Sequence, residues 1–484
     1  MVMLDDKRVE AFFERVSKAA EKIREAVGRS DTVHVFSHLD ADGIAAAGII
    51  GKALYRLEAR FRIRITQWVD ERIVDEIAGE KPKMVIFIDL GNDYANLLKQ
   101  RTPETEVAVL DHHQIIGESF EDFLWVNPHV HGIDGTRDVS SAGVAYFVAK
   151  AVDKVNMDLA PIAVVGALGD LQDKYDQRAL GGLNELIVEE AKTQGLLKVE
   201  KDLMFFGRET RPIHKALAST TNPFIPGISG DEGGSYAFLE SLGIKTKVDD
   251  KWRALRDLSD EEKRRLCTAL AEYLLSKGLH YEVSNLVGHV YTLTREDAWT
   301  PLRDAREFAV LLNAAGRMDK PGVGIAVCMG DRGANFEEAN KILEEYRRTV
   351  NKYLEWIAKE PGRIRELENI YVVYGEDYID DKIVGTISSI LLTSLPNPEK
   401  PLIVYADVKG EDIAKVSART VDAVTSKGVN LGEIMQTAAE KCLGKGGGHD
   451  VAAGAQVPIE NMEIFIKLVN ELVGKKLADG KLRG

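Results

Sequence analysis

The chain has 484 residues, 45% hydrophobic and 29% charged, and its 63 Lys and Arg against 77 Asp and Glu give a formal charge of −14. That composition excludes a disordered, collagen-like or coiled-coil chain, and the length fits two to four domains. The acidic balance excludes a protein that coats nucleic acid by bulk charge, and no apolar run approaches the roughly 18 residues of a membrane span. Three widely spaced cysteines (Cys267, Cys328, Cys442) offer neither a disulfide framework nor a thiolate zinc site, which fits a reducing cytoplasm. The N-terminus, MVMLDDKRVEAFFERV, is charged rather than signal-like.

Between residues 3 and 28, Val9, Phe12, Phe13, Val16, Ala20, Ile23 and Val27 recur at helical spacing and predict an amphipathic helix. Short β-rich runs follow: TVHVFSH (32–38), RIRITQWV (62–69), MVIFIDL (84–90) and EVAVLDHH (106–113). Helix-like stretches such as GIAAAGIIGKALYRLEARF separate them, so βαβ units and a parallel sheet are expected. Helices are expected at 140–154 and 160–173, closing a first α/β domain over 1–215. Residues 216–300 read as a linker and helical insert. Within them TTNPFIPGISGDEGG looks like a linker or surface loop, and LSDEEKRRLCTALAEYLLSKG like a helix with Ser259 as N-cap and Glu262 completing a capping box. A second α/β domain is expected over 301–484, with GIAVCMG, IYVVYG and PLIVYADV as strands and helices near 335–358, 381–394, 430–443 and 459–476. The expected architecture is α/β: a parallel-sheet domain and a second α/β domain facing it across a cleft, with a helical insert.

In open α/β sheets, ligands collect beyond the carboxyl ends of the strands. His38, Asp40 and Asp42 follow the first strand in HVFSHLDADG, Asp89 ends another in VIFIDLG, and Asp111, His112 and His113 end a third in VAVLDHHQ. Asp170 follows in VVGALGDLQD. On an extended segment Asp40 and Asp42 point the same way and face one cavity. Carboxylates gathered there are costly without cations, and a mixed oxygen and imidazole set suits paired Mn²⁺ or Mg²⁺ better than zinc. Two such ions activate water and stabilise a leaving oxygen in phosphoester hydrolysis. His34, mid-strand, reads as a packed or hydrogen-bonded histidine, and His129 and His131, after the Asn127-Pro128 turn, as solvated.

A glycine-rich segment, KCLGKGGGHDVAAGAQVP, carries Gly446, Gly447 and Gly448, whose N–H groups form a phosphate nest if they take positive φ; Lys445 and His449 add charge or a donor. It is not a P-loop, because no GK[ST] follows. AKVSARTVD places Ser417 and Arg419 on one face of an expected strand, able to grip a terminal phosphate, and LLNAAGRM offers Asn313, Gly316 and Arg317.

HLDADG, the DLG at Asp89, Asp111-His112-His113 and GDLQD together resemble the successive motifs of the DHH phosphoesterase superfamily. The resemblance implies that His38, Asp40 and Asp89 hold one metal and Asp42, Asp89, His112 and Asp170 the other, with Asp89 bridging. It further implies that Asp111 orients the neighbouring histidines and that His113 approaches the scissile phosphate. GGGHDVAAG resembles the DHHA1-type domain of one branch, while NAAGRM and S-A-R are similar to segments of the RecJ-like single-strand exonucleases. In that family the S-x-R pair helps bind the 5′ end phosphate, a role that falls here on Ser417 and Arg419, with Arg317 in the same pocket. The resemblance spans about 30 to 460. The long bacterial type carries a further OB-like module that nothing after the 459–476 helix supplies. The insert around 205–300 resembles that of archaeal relatives, the GINS-associated nucleases, which implies a GINS subunit as partner.

The leading expectation is a processive 5′→3′ exonuclease of single-stranded nucleic acid, acting in DNA replication or repair with two divalent cations, Mn²⁺ preferred and Mg²⁺ possible. A short-oligonucleotide or cyclic-dinucleotide phosphodiesterase and a non-catalytic replisome scaffold are the alternatives. DNA and RNA are not separated, because no reader of the 2′-OH is recognisable.

Overall fold

The β-rich runs near the N-terminus become parallel neighbours in a computed structural model of the chain, which describes residues 6–90, 95–115, 123–220, 223–392, 394–395, 397 and 399–481. Helix α1 (Asp6–Gly28) leads into β1 (Thr32–His38), α2 (Ala41–Arg56), β2 (Arg60–Thr66), α3 (Glu71–Glu80), β3 (Met84–Ile88), α4 (Ala95–Arg101), β4 (Glu106–Leu110) and a strand not foreseen, β5 (Leu124–Val126). The order is β2-β1-β3-β4-β5, parallel throughout. Phe36, Val85, Phe87 and Val109 pack against Ile73, Val74 and Ile77 of α3 and Leu98 of α4. Helix α2 packs against the sheet and against α5 (Ser141–Val152) and α6 (Ala160–Gly169). Every residue of β3 is buried, as expected of a central parallel strand. The order switches direction between β1 and β3, which opens a crevice at their carboxyl ends.

After α7 (Leu183–Thr193), strand β6 (Leu197–Leu203) pairs antiparallel with a later strand, β9 (Val287–Leu293), and the insert lies between them. It comprises α8 (Ile213–Ala218), α9 (Glu232–Ser241), a small hairpin of β7 (Lys247–Val248) and β8 (Lys251–Trp252), and α10 (Asp260–Ser276). Its own core gathers Phe205, Ile213, Leu217, Leu239, Leu266, Leu270 and Leu274. The expected capping box is present: Ser259 Oγ accepts the Glu262 N–H at 3.2 Å and the Glu262 carboxylate accepts the Ser259 N–H at 2.8 Å. TTNPFIPGISGDEGG is not a linker, because Ile225 and Ile228 are buried in the insert core; Thr221 and Asn222 lie outside the described residues.

Helices α11 (Ala305–Arg317) and α12 (Pro321–Cys328) pack on α2, and α11 also on α6. The chain divides into compact units Met1–Leu343 and Glu344–Gly484, so residues 301–343 belong with the first and not with a domain starting at 301. GIAVCMG is accordingly helical rather than a strand. A short apolar run has no decisive periodicity, and Pro321 in the first helical turn together with packing on α2 settles the outcome.

Helix α13 (Ala334–Ala358) carries the chain into the second unit, whose elements are β10 (Ile364–Glu366), β11 (Tyr371–Tyr374), α14 (Val384–Leu392), β12 (Leu402–Asp407), β13 (Ile413–Arg419), α15 (Asp422–Thr425), α16 (Leu431–Lys441), β14 (Lys445–Gly448), β15 (Ala452–Pro458) and α17 (Met462–Lys481). Its mixed sheet has the order β10-β11-β12-β13-β15-β14, and one face carries a core with Ile434 and Met435 of α16 and Phe465 and Val469 of α17. Among the described residues no helix is long and apolar enough to cross a membrane.

The insert is tied to the first unit by a buried carboxylate. Glu307 on α11 accepts the N–H of Glu209 at 3.1 Å and the hydroxyl of Thr210. Burial and the neighbouring Asp304 push its carboxyl up from the ordinary 4.5 to about 7. A carboxyl raised in this way favours folding when protonated, so its contribution is complete below pH 4.5 and is lost as the pH rises to 7, by on the order of 3 kcal/mol. The expected result is a fall in the unfolding midpoint between pH 5 and 8 that is smaller in Glu307→Gln, as read by thermal melts across that range.

Candidate metal centre

Each candidate ligand is placed by the element that delivers it. His38 ends β1, and Asp40 is the N-cap of α2, its carboxylate accepting the N–H of Gly43 at 3.0 Å. Asp42 lies in the first turn of α2, so the cap rather than an extended segment brings the two aspartates to one cavity. Asp42 is 1% exposed and reaches the start of α5, where its two oxygens accept the N–H groups of Ser141 (2.8 Å) and Ala142 (3.0 Å). A helix N-terminus suits an anion there, and Gly166 of α6 leaves its room, since a Cβ at that position would lie 2.6 Å from Asp42 Oδ1.

Asp89 follows β3 with φ of +62°, a left-handed conformation that aspartate tolerates better than most residues. It accepts from Ser141 Oγ at 3.0 Å, and its oxygens lie 3.5 Å from His38 Nδ1 and 3.4 Å from His112 Nε2. His38 Nδ1 is also 3.0 Å from Asp40. Asp89 thus belongs to both groups whose ligand atoms converge, His38-Asp40-Asp89 and Asp89-His112-His113. Asp170, at the C-terminal cap of α6, places a carboxylate oxygen 3.7 Å from His112 Nε2, and Asp42 places one at 4.0 Å.

The tautomer of His112 follows from its surroundings. Its Nδ1 is 2.7 Å from the carbonyl of Gly135, which only accepts, so in the neutral ring Nδ1 donates and Nε2 carries the lone pair. That Nε2 is buried and has no hydrogen-bond partner among the described residues, although three carboxylates surround it. An orphaned imidazole nitrogen facing acidic oxygens, its other nitrogen held by a carbonyl, is what a divalent cation requires. Gln172 steadies the arrangement by donating to Asp170 (2.9 Å) and to the Gly135 carbonyl (2.9 Å), while Asn184 donates to its oxygen at 2.7 Å.

Electrostatics point the same way. Burial and the adjacent Asp89 hold the Asp42 carboxyl well above its ordinary range. Burial opposes charge on His38, yet Asp40 and Asp89 hold it up to about 10. Burial likewise opposes a charge on Asp89, and the adjacent His112, His38 and His113 imidazoles draw it well below the usual carboxylate range. The cluster lacks positive charge, and protons on the histidines supply it where cations would.

Asp111 is fully buried. Its Oδ1 accepts the N–H groups of His112 (2.7 Å) and His113 (3.2 Å) and lies 2.8 Å from His113 Nδ1, which fixes both histidines. The side chain of His113 is 44% exposed. His34 is paired with Glu80 at 3.3 Å. His129 and His131 are not solvated as expected: each has a buried Nε2, and His131 packs edge-on to Phe12.

Helix α11 carries Asn313, Gly316 and Arg317, the last ending the helix. Asn313 Oδ1 accepts the N–H of Ala41 at 3.1 Å, and a Cβ on Gly316 would meet Leu39 O at 1.7 Å. These two residues therefore brace the HLDADG loop. Sequence reasoning missed that brace, and it missed Ser141, Gln172 and Gly135. The Ser-Ser pair before α5, with Ser140 as its N-cap, was the one visible signal.

In the second unit, Ser417 and Arg419 lie on β13 as expected, Ser417 Oγ 2.9 Å from Ser388 Oγ and Arg419 Nε donating to Ser389 Oγ at 3.1 Å. The glycine run does not form a nest. Residues 445–448 are the edge strand β14, and of the three glycines only Gly448 has positive φ. Glycine is required at 446 because α16 lies against the strand: a Cβ there would be 2.5 Å from Met435 O. Register places Ser417, Gly454 and Gly447 in one row across three strands, and Lys415, Gln456 and Lys445 in another, with nothing within 4 Å of a Cβ at Gly447. The three glycines thus belong to a sheet and not to a loop. The main chain of His449 begins the turn into β15, its N–H donating to Ala452 O.

Three family models match this chain: the DHH family N-terminal domain at residues 32–167, the DHH-CID domain at 205–287 and the DHHA1 domain at 368–475. Fold and site thus define a DHH-type domain joined to a DHHA1 domain. Uncharacterized protein MJ0831 of Methanocaldococcus jannaschii is 32% identical over 96% of this chain and 98% of its own length. The chain belongs to the DHH/DHHA1 RecJ-like superfamily, whose members are phosphoesterases. The single-stranded-DNA-specific exonuclease RecJ of Bacillus subtilis is 20% identical over 96% of this chain and 48% of its own length. Among solved structures, RecJ of Thermus thermophilus in complex with Mn²⁺ matches with a TM-score of 0.59 at 19% identity, over 95% of this chain and 55% of that one. CDC45 of Entamoeba histolytica matches with a TM-score of 0.61 at 14% identity, over 95% and 99%. The chain spans about half the length of the bacterial RecJ proteins it matches.

Proposed function

We propose that this protein is a metal-dependent exonuclease that degrades single-stranded nucleic acid, DNA first, in the 5′→3′ direction during replication or repair. The observation that carries the reading is the buried, unpartnered Nε2 of His112 among Asp42, Asp89 and Asp170. His38, Asp40 and Asp89 would hold one divalent cation, and Asp42, Asp89, His112 and Asp170 a second, with Mn²⁺ favoured over Mg²⁺ by the imidazoles. Such cations supply a Lewis acid and an activated water for phosphodiester hydrolysis. The protein's own groups do the rest. Asp111 fixes the His113 ring so that it meets the scissile phosphate, and Ser417 and Arg419, with the glycine row of β14 and β15, bind the terminal 5′ phosphate. Arg317 adds a cation to the substrate path. The likeness to RecJ, named for single-stranded-DNA-specific exonuclease activity, supports this substrate. The insert, with its separate core, is where we place partner contact, with a GINS subunit as the partner.

The test is a time course with strands labelled at the 5′ or the 3′ end, in Mn²⁺, Mg²⁺ or chelator. Short products should appear from the 5′ end only, on single strands only, faster in Mn²⁺ and not at all in chelator. Release from the 3′ end, or equal cleavage of duplex, would refute the polarity or the strand preference.

A further inference from the structure

Helix α11 reaches two of the loops that carry proposed ligands. Toward its C-terminus Asn313 holds the N–H of Ala41, between Asp40 and Asp42, and Gly316 lies against Leu39. At its N-terminal end Arg306 donates to Asp173 Oδ2 at 2.7 Å, three residues beyond Asp170. Asp173 is 3% exposed, and the same oxygen accepts from Arg178 Nε at 2.9 Å. Arg306 is itself fixed: it donates to His289 O at 2.9 Å and lies over the Tyr291 ring, whose hydroxyl accepts the Leu180 N–H at 2.8 Å. Between Asp170 and Asp173 stand Leu171, with φ of +55°, and the buried Gln172, which bonds Asp170 and lies 3.3 Å from His112 Nδ1. A buried carboxylate shared by two arginines holds such a turn in one geometry, and loss of one partner leaves its charge poorly compensated.

We propose that α11 is the positioning element of the metal centre. Arg306 sets Asp170 and His112 through Asp173 and Gln172, and Asn313 sets Asp40 and Asp42 through the first turn of α2. This rests on the metal-dependent reading above and goes further, since neither residue touches the ligand atoms. The two tethers are on one thirteen-residue helix, so the two loops are held at a fixed separation. Glu307 hangs the insert from that helix too.

The test is Mn²⁺ binding to the full chain by calorimetry, with single-strand degradation measured across Mn²⁺ concentration. Arg306→Ala and Asn313→Ala should each weaken Mn²⁺ binding by about ten- to a hundredfold, the range of outer-shell changes at metal sites. Saturating Mn²⁺ should restore most of the rate, with KM for the strand unchanged, and Arg306→Lys should recover part of the affinity. Damage to the fold would not be repaired by added metal. Should Arg306→Ala fail to fold, Arg306→Lys and Asn313→Ala decide the matter. Alanine variants that bind Mn²⁺ within twofold of the wild type would overturn the positioning role and leave the metal-dependent reading standing. A wild-type chain that binds no Mn²⁺ would overturn both.

Discussion

Replacing Asp89 with asparagine is expected to abolish strand degradation, with a loss of at least about a hundredfold, beyond the usual effect of outer-shell changes. Asp89 is common to both converging ligand groups, so its substitution removes an oxygen from each. Asparagine keeps the shape and tolerates the left-handed backbone at this position, and Ser141 Oγ still finds an acceptor. The variant should therefore fold, and its melt in chelator should resemble that of the wild type. Asp42→Asn should lose activity to the same degree but behave differently in the melt. Both Asp42 oxygens accept main-chain N–H groups from α5, and an amide nitrogen in place of one oxygen leaves a buried donor facing a donor, at about 1–3 kcal/mol. Degradation surviving in both variants would refute the metal centre.

Gly316→Ala is the second large effect. The added methyl would sit 1.7 Å from Leu39 O, a backbone atom that cannot rotate away, with Ile44 Cδ1 at 3.0 Å. Either α11 retreats from the HLDADG loop or the loop shifts, and overpacking of this kind typically costs about 1–3 kcal/mol. The expected result is a chemical-denaturation midpoint lowered by an amount at the upper end of that range, with loss of most nuclease activity. The same change at Gly322, where nothing lies within 4 Å of a Cβ, should be close to neutral and serves as the control.

Much of the candidate metal centre was legible because its chemistry sits at strand ends. A parallel strand is a run of β-branched and aromatic residues, and an aspartate or histidine directly after it lies at the sheet's binding edge whatever the surrounding helices do. His38, Asp89 and His112 could therefore be placed from spacing and motif together. The braces could not, because Asn313 and Arg306 act across nearly the whole first unit and look like any helix-surface polar residue. The Asp40–Asp42 pair was legible as candidate ligands, but which of the two caps α2 was not, since DADG fits an extended turn and a helix start equally well. GIAVCMG and the triple glycine fail for a related reason: short apolar or glycine runs carry no periodicity, and packing on α2 or α16 decides their form. In TTNPFIPGISGDEGG, two isoleucines were hidden among turn residues, although they complete a core whose other members come from distant helices.

The pairing of β6 with β9 has a consequence for how such a chain is assembled. Leu203 and Val287 stand opposite each other in register, and Met204 N–H donates to Leu286 O at 3.0 Å, so the insert begins and ends at one point. Everything between those residues is, topologically, an enlarged hairpin loop. It can be shortened to a tight turn or exchanged for a module of another size without rerouting any strand of the five-stranded sheet. Its neck is a graft site, at which a binding specificity can be gained or lost while the chemistry at the strand ends is inherited intact.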